Sequence, residues 1–361
     1  MRFGLSDEQR MLDESVRGFL ARTLPLDEVR RLAADGTGYD AALAGGLAEQ
    51  GVTGVVVPEA QGGVGLGMVE AVVVAEALGY AVAPFGFVGA CVMAPLAIMN
   101  AGDDGIRSEL LSRIAVGERR VAVDFSALAG TTGAAALRLD GNSISGTVQN
   151  LLDPGEATDL LVALADGRMA LVEADAAGVA TSLRKTVDRT RPLGMATFDG
   201  AKARVLDAGS GVAKSVLEAG RLMIAADSLG AGQRMIDQAV AYANEREQFG
   251  RKIGSFQAVK HMCAELVSML EPCRSMAWYA GYAREHGIED ASLTILHTKS
   301  HLGETTREVS RMATEVHGGM GFTDLLGLHF WFKRITFDRQ VLGGPERCRS
   351  EAAVLQGWAA A

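Results

Sequence analysis

The spacing of hydrophobic residues changes twice along this 361-residue chain, and these changes constrain the fold more than any other feature. In the first and last parts of the chain, apolar residues recur every three or four positions, which predicts amphipathic helices. In the middle part, short apolar runs are broken by Gly, Asp and Asn, which is typical of β-strands joined by tight turns. We therefore predict a mainly α protein with an inserted β domain.

The helical spacing is clearest in the last of three predicted domains, 211–361. Three successive patterns predict long antiparallel helices that pack as a bundle. Pro272 should bend the second of these helices, and Gly318-Gly319 is a signal for the end of the third. The first of them contains the apolar series Leu222, Ala226, Leu229, Ile236, Val240 and Ala243.

The middle domain is predicted to span 116–210 and to contain antiparallel strands. Its Asp-Gly dipeptides at 140–141 and 166–167 are hairpin signals. The candidate strands are 121–125, 144–148, 160–164, 169–172 and 196–198.

The N-terminal domain, 1–115, is predicted to be helical, with Ser6 as the N-cap of its first helix. A glycine-rich segment at 59–66 precedes a second predicted helix at 68–78. This segment could be mistaken for a phosphate-binding loop, but no Lys-Ser/Thr pair follows it and the Rossmann spacing does not fit. We interpret it as a turn between helices.

Composition excludes several classes of protein. A formal net charge of −9 disfavours a nucleic-acid-binding protein, which needs a basic face. No apolar run reaches the roughly 20 residues of a membrane span, and the N-terminus lacks the pattern of a signal peptide, so we expect a cytoplasmic protein. The four cysteines lack metal-ligand spacing, and His297 and His301 lack the Glu of an HExxH motif, so no metal site is expected.

Two motifs at the predicted helix ends carry the functional signal. Residues 246–258 read REQFGRKIGSFQA, and residues 317–323 read HGGMGFT. Together the motifs resemble the C-terminal domain of the acyl-CoA dehydrogenases. The resemblance covers essentially the whole chain and implies a helical N-terminal domain, a middle antiparallel β domain and a C-terminal four-helix bundle.

The resemblance also implies that FAD lies across a subunit interface. Arg246 matches the family arginine that pairs with the pyrophosphate, Phe249 the aromatic residue near the flavin, and Gln257 the glutamine near the adenylate end. The glycines that match the phosphate-approaching turn are Gly318, Gly319 and Gly321.

Each of these residues has a structural alternative, in which Arg246 is a solvated helix end and the glycines are only a cap. Their occurrence together at family spacing favours cofactor contact. Glu315 departs from the family, which commonly has Gln at this position. A carboxylate here would repel a pyrophosphate unless it is neutralised or turned away.

The residues that would perform chemistry are missing. Acyl-CoA dehydrogenation needs a base for the α-proton, and most family members carry Glu where this chain has Leu342. A minority carry the base at the position of Gly220, one residue before an arginine that matches Arg221. The flavin-covering loops of the family correspond to 124–133 and 150–152, and neither retains the family phrase.

In having the FAD-contact residues but no base, the chain resembles the actinobacterial dehydrogenases of steroid side-chain degradation. These enzymes assemble as α2β2 from two unlike subunits. In that arrangement a homologous partner supplies the base, and this chain supplies the FAD contacts from across the interface. The substrate implied is an acyl-CoA thioester, with a steroid side chain as one case, and the usual electron acceptor in the family is an electron-transfer flavoprotein.

Two alternatives stay open from the sequence. The first is a self-sufficient homotetrameric enzyme with a relocated base, although the carboxylates concerned could equally lie on the surface. The second is a non-catalytic structural paralogue that binds no flavin. The candidates for a relocated base are Glu218, Asp227, Asp338 and Glu346.

Overall fold

The computed structural model describes residues 4–130, 137–206 and 209–359. Its N-terminal region is helical, as predicted, and Ser6 caps the first helix through a reciprocal pair of hydrogen bonds with Gln9. A π-helix, Phe87–Met93, leads directly into α5. The α-helices of this region are α1 (Asp7–Thr23), α2 (Leu26–Asp35), α3 (Ala41–Glu49), α4 (Met68–Tyr80), α5 (Ala94–Ala101) and α6 (Asp104–Ala115).

The middle region contains two four-stranded sheets, one in the order β1-β4-β5-β8 and the other in the order β2-β3-β7-β6. Their buried faces form a second, separate hydrophobic core. The strands are β1 (Val121–Asp124), β2 (Arg138–Asp140), β3 (Ser143–Leu151), β4 (Asp159–Ala163), β5 (Met169–Glu173), β6 (Val179–Arg184), β7 (Leu193–Lys202) and β8 (Arg204–Leu206).

The prediction of antiparallel strands is wrong for one pair, because β1 and β4 run parallel, with Val121 opposite Asp159. The chain crosses to the other sheet between these two strands and returns, so they can share a direction. The sequence patterns also missed β2, β6 and β8. These strands are either three residues long or, in β6, largely exposed, so they lack an apolar alternation.

The C-terminal region is the predicted bundle. Its first helix, α7, has 36 residues, and a two-residue ribbon of β9 (Glu247–Gln248) and β10 (Arg251–Lys252) separates it from α8. Helix α8 continues through Pro272, whose position is exposed. The helices are α7 (Ser210–Glu245), α8 (Gln257–Glu285), α9 (Ala291–His317), α10 (Leu328–Gln340) and α11 (Pro345–Leu355).

The N-terminal helices and the bundle share one hydrophobic core. Helices α4 and α7 approach closely at two glycines. A Cβ atom on Gly79 would lie 1.9 Å from the carbonyl oxygen of Asp227, and one on Gly230 would lie 1.9 Å from that of Glu76. No side chain fits at these crossings. The division at 115 and 210 into three domains stays a proposal.

Among the residues that the structure describes, none of the helices combines the length and apolar character needed to cross a bilayer.

Candidate functional site

The two sequence motifs meet at one end of the bundle. Helices α7 and α9 both end here and α8 begins here, since successive helices run antiparallel. The rings of Tyr242 and His317, each within the last turn of its helix, contact each other in a tilted arrangement, with their centroids 4.7 Å apart and their planes at 30°. Contact between these rings therefore holds the end of α7, just before Arg246, beside the glycine turn after α9.

Five of the six predicted cofactor residues lie exposed at this end, and we call them the bundle-end surface. Phe249 is 92% exposed and adopts a left-handed backbone conformation with φ of 55°, which directs its side chain away from the bundle. Its ring makes an edge-to-face contact with that of Phe256, with the centroids 6.1 Å apart. The bundle-end surface comprises Arg246, Phe249, Gln257, Gly318 and Gly319.

Arg246 ends α7 as its C-cap residue, and its backbone carbonyl accepts a hydrogen bond from Ile253 across the β9–β10 ribbon. Its guanidinium forms no ion pair with any carboxylate in the described parts of the chain. An exposed guanidinium without a counter-ion is available for an anion such as a phosphate group.

The glycines of the turn differ from one another. Gly318 has φ of 57° and ψ of −141°, a conformation that side-chain-bearing residues rarely adopt, and a Cβ atom on Gly318 or Gly319 would point into open space. Gly321 is buried instead, and a Cβ there would lie 2.7 Å from the carbonyl oxygen of Thr314. Packing within this chain therefore accounts for Gly321, whereas the other two glycines leave room for a neighbouring molecule.

The side chain of Glu315, whose charge conflicts with a pyrophosphate, has an internal partner. A guanidinium nitrogen of Arg311 donates a hydrogen bond of 2.6 Å to its carboxylate. This ion pair between exposed side chains offsets the negative charge beside the glycine turn.

The position of the family base lies elsewhere, in the connection between α10 and α11. Leu342 is buried and has φ of 58°. Its carbonyl oxygen accepts a hydrogen bond of 2.8 Å from Nε of Arg221. The Nζ of Lys299 donates to the carbonyl oxygens of Asp338 and Arg339, at 2.7 and 3.1 Å, and burial lowers the pKa of this lysine to about 8. Two buried cations thus fix the end of α10 and the connection that carries Leu342.

The two family positions for the base face each other in space. A Cβ atom on Gly220 would lie 2.7 Å from Cδ1 of Leu342 and 2.4 Å from Sδ of Met93, which belongs to the π-helix. Met93 and Leu342 are both buried. Apolar side chains therefore fill the space beside Gly220.

Leu342 also forms part of the wall of a cavity of about 410 Å³ between the β domain and α10. We call it the Leu342 cavity. Its volume is within the 300–1,000 Å³ typical of small-molecule sites. Its wall consists of Phe125, Ser126, Asn150, Lys185, Thr186, Val187, Asp188, Leu193, Lys333, Thr336, Phe337, Gln340, Val341 and Leu342.

Asp188 provides the only carboxylate among these lining residues, and it is fully engaged. One oxygen accepts hydrogen bonds from the backbone and hydroxyl of Thr190, and the other accepts one of 2.7 Å from Nε of Arg334. Both of its oxygens are therefore occupied by hydrogen bonds within this chain.

A second carboxylate, that of Asp124, holds Ser126 and Asn150, two polar residues of the cavity wall. One of its oxygens accepts a hydrogen bond of 2.8 Å from the amide of Ser126, and the other accepts one of 3.0 Å from the amide of Asn150. Burial raises the pKa of Asp124, and these hydrogen bonds oppose that rise. The side chain positions both flavin-covering segments of the family resemblance; residues 131–133 of the first segment lie outside the described residues.

Asp227 and Asp338, two of the four candidates for a relocated base, are buried in an ion-pair network. Arg191 donates to both carboxylates at 2.7 and 2.8 Å, and Arg334 also contacts Asp227. Burial and the neighbouring Asp227 charge raise the pKa of Asp338 well above its usual range. Neither residue lines the Leu342 cavity.

Glu218 is also buried, and it accepts a hydrogen bond of 3.0 Å from the hydroxyl of Ser292 on α9. The alternative that all four candidates are surface carboxylates is therefore wrong for three of them. Only Glu346 is exposed, with Arg339 donating a hydrogen bond of 2.7 Å to it, and neither glutamate lines the cavity.

Four further residues at these sites were not found from the sequence: Met93, Asp124, Lys185 and Lys333. An apolar residue in a helix and single charged residues near strand or helix ends carry no local signal. Their roles depend on contacts with distant parts of the chain.

Two parts of the chain match models of one protein family. Residues 6–118 match the family model described as "Acyl-CoA dehydrogenase, N-terminal domain", and residues 207–351 match "Acyl-CoA dehydrogenase, C-terminal domain". A relative from Mycolicibacterium smegmatis, "Acyl-CoA dehydrogenase IpdE2", is 29% identical over 347 residues, which cover 94% of this chain and 96% of the relative.

Two further proteins are also similar to this chain. "Acyl-CoA dehydrogenase FadE34" of Mycobacterium tuberculosis is 29% identical over 353 residues, which are 95% of this chain but 47% of the relative. A solved structure described as "Tcur3481-Tcur3483 steroid ACAD G363A variant" superposes with a TM-score of 0.88 at 30% identity, covering 97% of this chain and 98% of the other.

Proposed function

The chain belongs to the acyl-CoA dehydrogenase family, and from that premise we propose that it is one subunit of a heteromeric FAD-dependent acyl-CoA dehydrogenase. In this proposal it binds the pyrophosphate and adenine end of FAD. A homologous partner subunit supplies the catalytic base and shelters the flavin ring.

One observation carries the proposal: the space where the family places its base is apolar. Leu342 and Gly220 face each other, and Met93 also lies beside Gly220. A hydrocarbon side chain cannot accept the α-proton of a thioester. The only carboxylate that lines the adjoining cavity is held by Arg334.

The bundle-end surface suits the nucleotide end of FAD. Arg246 offers an unpaired guanidinium for the pyrophosphate, and Gln257 offers amide groups at the start of α8. The open space over Gly318 and Gly319 lets phosphate oxygens approach the backbone. Because these groups face outward from one chain, the rest of the cofactor would lie on another chain.

Two of the similar proteins support an assembly of unlike subunits. The steroid ACAD structure bears two component names, Tcur3481 and Tcur3483. The alignment with FadE34 covers 47% of that relative, so its remaining length suffices for a second unit of this size. By similarity we propose an α2β2 assembly acting on an acyl-CoA thioester with a steroid side chain, and an electron-transfer flavoprotein as acceptor.

In the reaction, the thioester loses its α-proton to a base and a hydride from its β-carbon. Bound FAD supplies the acceptor for that hydride. This chain contributes binding and orientation, since Arg246 and Gln257 would hold the cofactor at a fixed position relative to the partner's acyl site. Fixed positioning of the reacting groups lowers the entropic part of the barrier.

The substitution Arg246→Ala in the complex tests this assignment. Loss of a charge-assisted contact worth about 1.5–3 kcal/mol should lower FAD affinity by roughly tenfold or more. FAD is measured from flavin absorbance per complex, together with dehydrogenase activity. Arg22→Ala, which removes an exposed arginine from α1, is the control and should retain full flavin content.

Two results would contradict different parts of the proposal. Unchanged flavin content in Arg246→Ala would remove the pyrophosphate assignment. A chain that is yellow and active when purified alone would instead favour the self-sufficient homo-oligomer, with a base that lies elsewhere.

A further inference from the structure

A separate cavity, of about 270 Å³, lies where α1, α2, α4, α7 and α10 meet. We call it the Arg234 cavity. It shares no described lining residue with the Leu342 cavity or with the bundle-end surface. Its wall consists of Arg17, Leu20, Ala21, Leu24, Pro25, Leu26, Val29, Ala77, Tyr80, Ala81, Arg234 and Trp331.

Most of this wall is aliphatic. Leu20, Leu24 and Val29 are buried side chains from α1, from the connection after it and from α2. Ala77 adds a buried methyl group from α4. The volume of about 270 Å³ is just below the roughly 300–1,000 Å³ of typical ligand pockets, so the cavity suits a ligand smaller than a drug-sized molecule.

One cation on the wall has no acid paired with it. The guanidinium of Arg234, which is half-buried, lies over the rings of Tyr80 and Trp331, at 5.4 and 5.6 Å from their centroids. Its one described hydrogen bond is long, at 3.4 Å from Nη1 to the hydroxyl oxygen of Tyr80, and it forms no ion pair in the described parts of the chain. Asp237, on the next turn of α7, accepts hydrogen bonds from Tyr80 and Gln233 instead. Since a guanidinium carries several N–H donors, Arg234 retains donors for an anion.

The other arginine on the wall is already neutralised. Arg17 pairs with Asp13 at 2.7 Å and with Glu76 at 3.2 Å. Its guanidinium also lies over the ring of Tyr80, at 4.8 Å from the centroid. Two guanidinium groups near one ring repel each other. An anion beside Arg234 would offset that repulsion and would give the second guanidinium a counter-ion, as the first already has.

From these features we propose that the Arg234 cavity is a non-catalytic binding site for a short aliphatic carboxylate. The hydrocarbon chain lies against Leu20, Leu24 and Val29, and the carboxylate accepts charge-assisted hydrogen bonds from Arg234. No bond is made or broken. Because the wall joins helices of the N-terminal region to α7 and α10, a bound ligand stabilises the folded chain. All of these groups belong to this chain, so the site does not depend on a partner subunit.

Three probes with the same alkyl chain test the site on the full chain: hexanoate, the uncharged 1-hexanol and the cationic hexylammonium. Calorimetry measures affinity and stoichiometry, and the rise in Tm with ligand is an independent readout. One hexanoate should bind per chain. Binding of 1-hexanol should be about tenfold weaker, because it lacks the charge-assisted hydrogen bonds, and hexylammonium should not bind, because Arg234 repels it.

Substitutions localise the binding. Arg234→Gln should weaken hexanoate binding by about tenfold and leave 1-hexanol affinity unchanged, which shows that the cavity is intact. Ala21→Phe, at an exposed position on the wall, should block both probes. Arg22→Gln is the matched control, because Arg22 is an exposed arginine of α1 that is not among the lining residues.

The proposal is overturned by the absence of hexanoate binding, by equal binding of hexanoate and 1-hexanol, or by undiminished hexanoate binding in Arg234→Gln. Hexanoate binding that survives Ala21→Phe would place the ligand elsewhere and would also overturn it. Arg246→Ala should bind hexanoate as the unsubstituted chain does. A failure of this proposal can therefore be distinguished from a failure of the proposed subunit function, which is measured as flavin content.

Discussion

At the scale of single residues, Gly220 illustrates how a missing side chain can be a packing requirement. The space beside it is filled by Met93 and Leu342 rather than by solvent. Leu342 itself has a left-handed backbone conformation, and Arg221 holds its carbonyl oxygen. Gly220 and Leu342, which stand at the two positions of the family base, are therefore also the residues that pack tightly here.

The substitution Gly220→Ala should destabilise the protein by about 1–3 kcal/mol, because the new methyl group overlaps Met93 and Leu342. Met93→Ala in the same chain should recover part of that loss. Urea unfolding measures the difference. Gly45→Ala is the control, since Gly45 lies in helix α3 with nothing within 4 Å of its added methyl group, and it should be neutral or stabilising. Equal effects of the two substitutions would contradict the packing account.

At the scale of secondary-structure elements, the ends of α7 and α9 are joined by contact between the tilted rings of Tyr242 and His317. The imidazole Nδ1 lies 2.8 Å from the carbonyl oxygen of Ala313, to which it donates when protonated. Burial lowers the pKa of His317, although hydrogen bonds to backbone carbonyls oppose the shift. The neutral ring is thus the form that the folded bundle end prefers.

The sign of the pH dependence follows from this shift. Between the lowered folded pKa and the unfolded value near 6.5, the unfolded chain binds more protons, so stability falls as pH falls through this window. The substitution His317→Gln keeps a donor but removes the titration, and should flatten the curve of Tm against pH below about 6.5. Thermal unfolding from pH 5 to pH 8 measures it. An identical slope in both proteins would assign the pH dependence to other groups.

At the scale of the whole molecule, Arg334 joins the three regions. It is fully buried in α10 and donates to Asp188 of the β domain, Asp227 of α7 and the carbonyl oxygen of Ala83 in the N-terminal region. Arg191 adds a second link from the β domain to α7 and α10. Because buried charges must stay paired, this network fixes the relative position of the regions that enclose the Leu342 cavity.

Arg334→Ala should therefore lower stability by about 3–5 kcal/mol, because it leaves buried Asp188 without a guanidinium partner and Asp227 with Arg191 alone. Calorimetry should show a lower Tm, and separate transitions if the regions then unfold independently. Arg113→Ala removes an exposed arginine that pairs with Glu118, and should cost less than about 1 kcal/mol. A Tm for Arg334→Ala equal to that of this control would contradict the structural role of the network.

The helical, β and helical regions could be predicted from the sequence, because each follows from hydrophobic spacing within a few residues. The family could be predicted as well, because the two motifs occur together at family spacing. The strands β2, β6 and β8 escaped detection because they are short or exposed.

Which distant residues share a site could be learned only from the tertiary structure. Arg221 and Leu342 are 121 residues apart, yet they are joined by a hydrogen bond, and Met93 reaches the same place from the π-helix. The parallel pairing of β1 with β4, the buried network of Asp227 and Asp338, and the two lysines of the Leu342 cavity have the same origin. Such contacts depend on the path of the whole chain, and local spacing carries no information about that path.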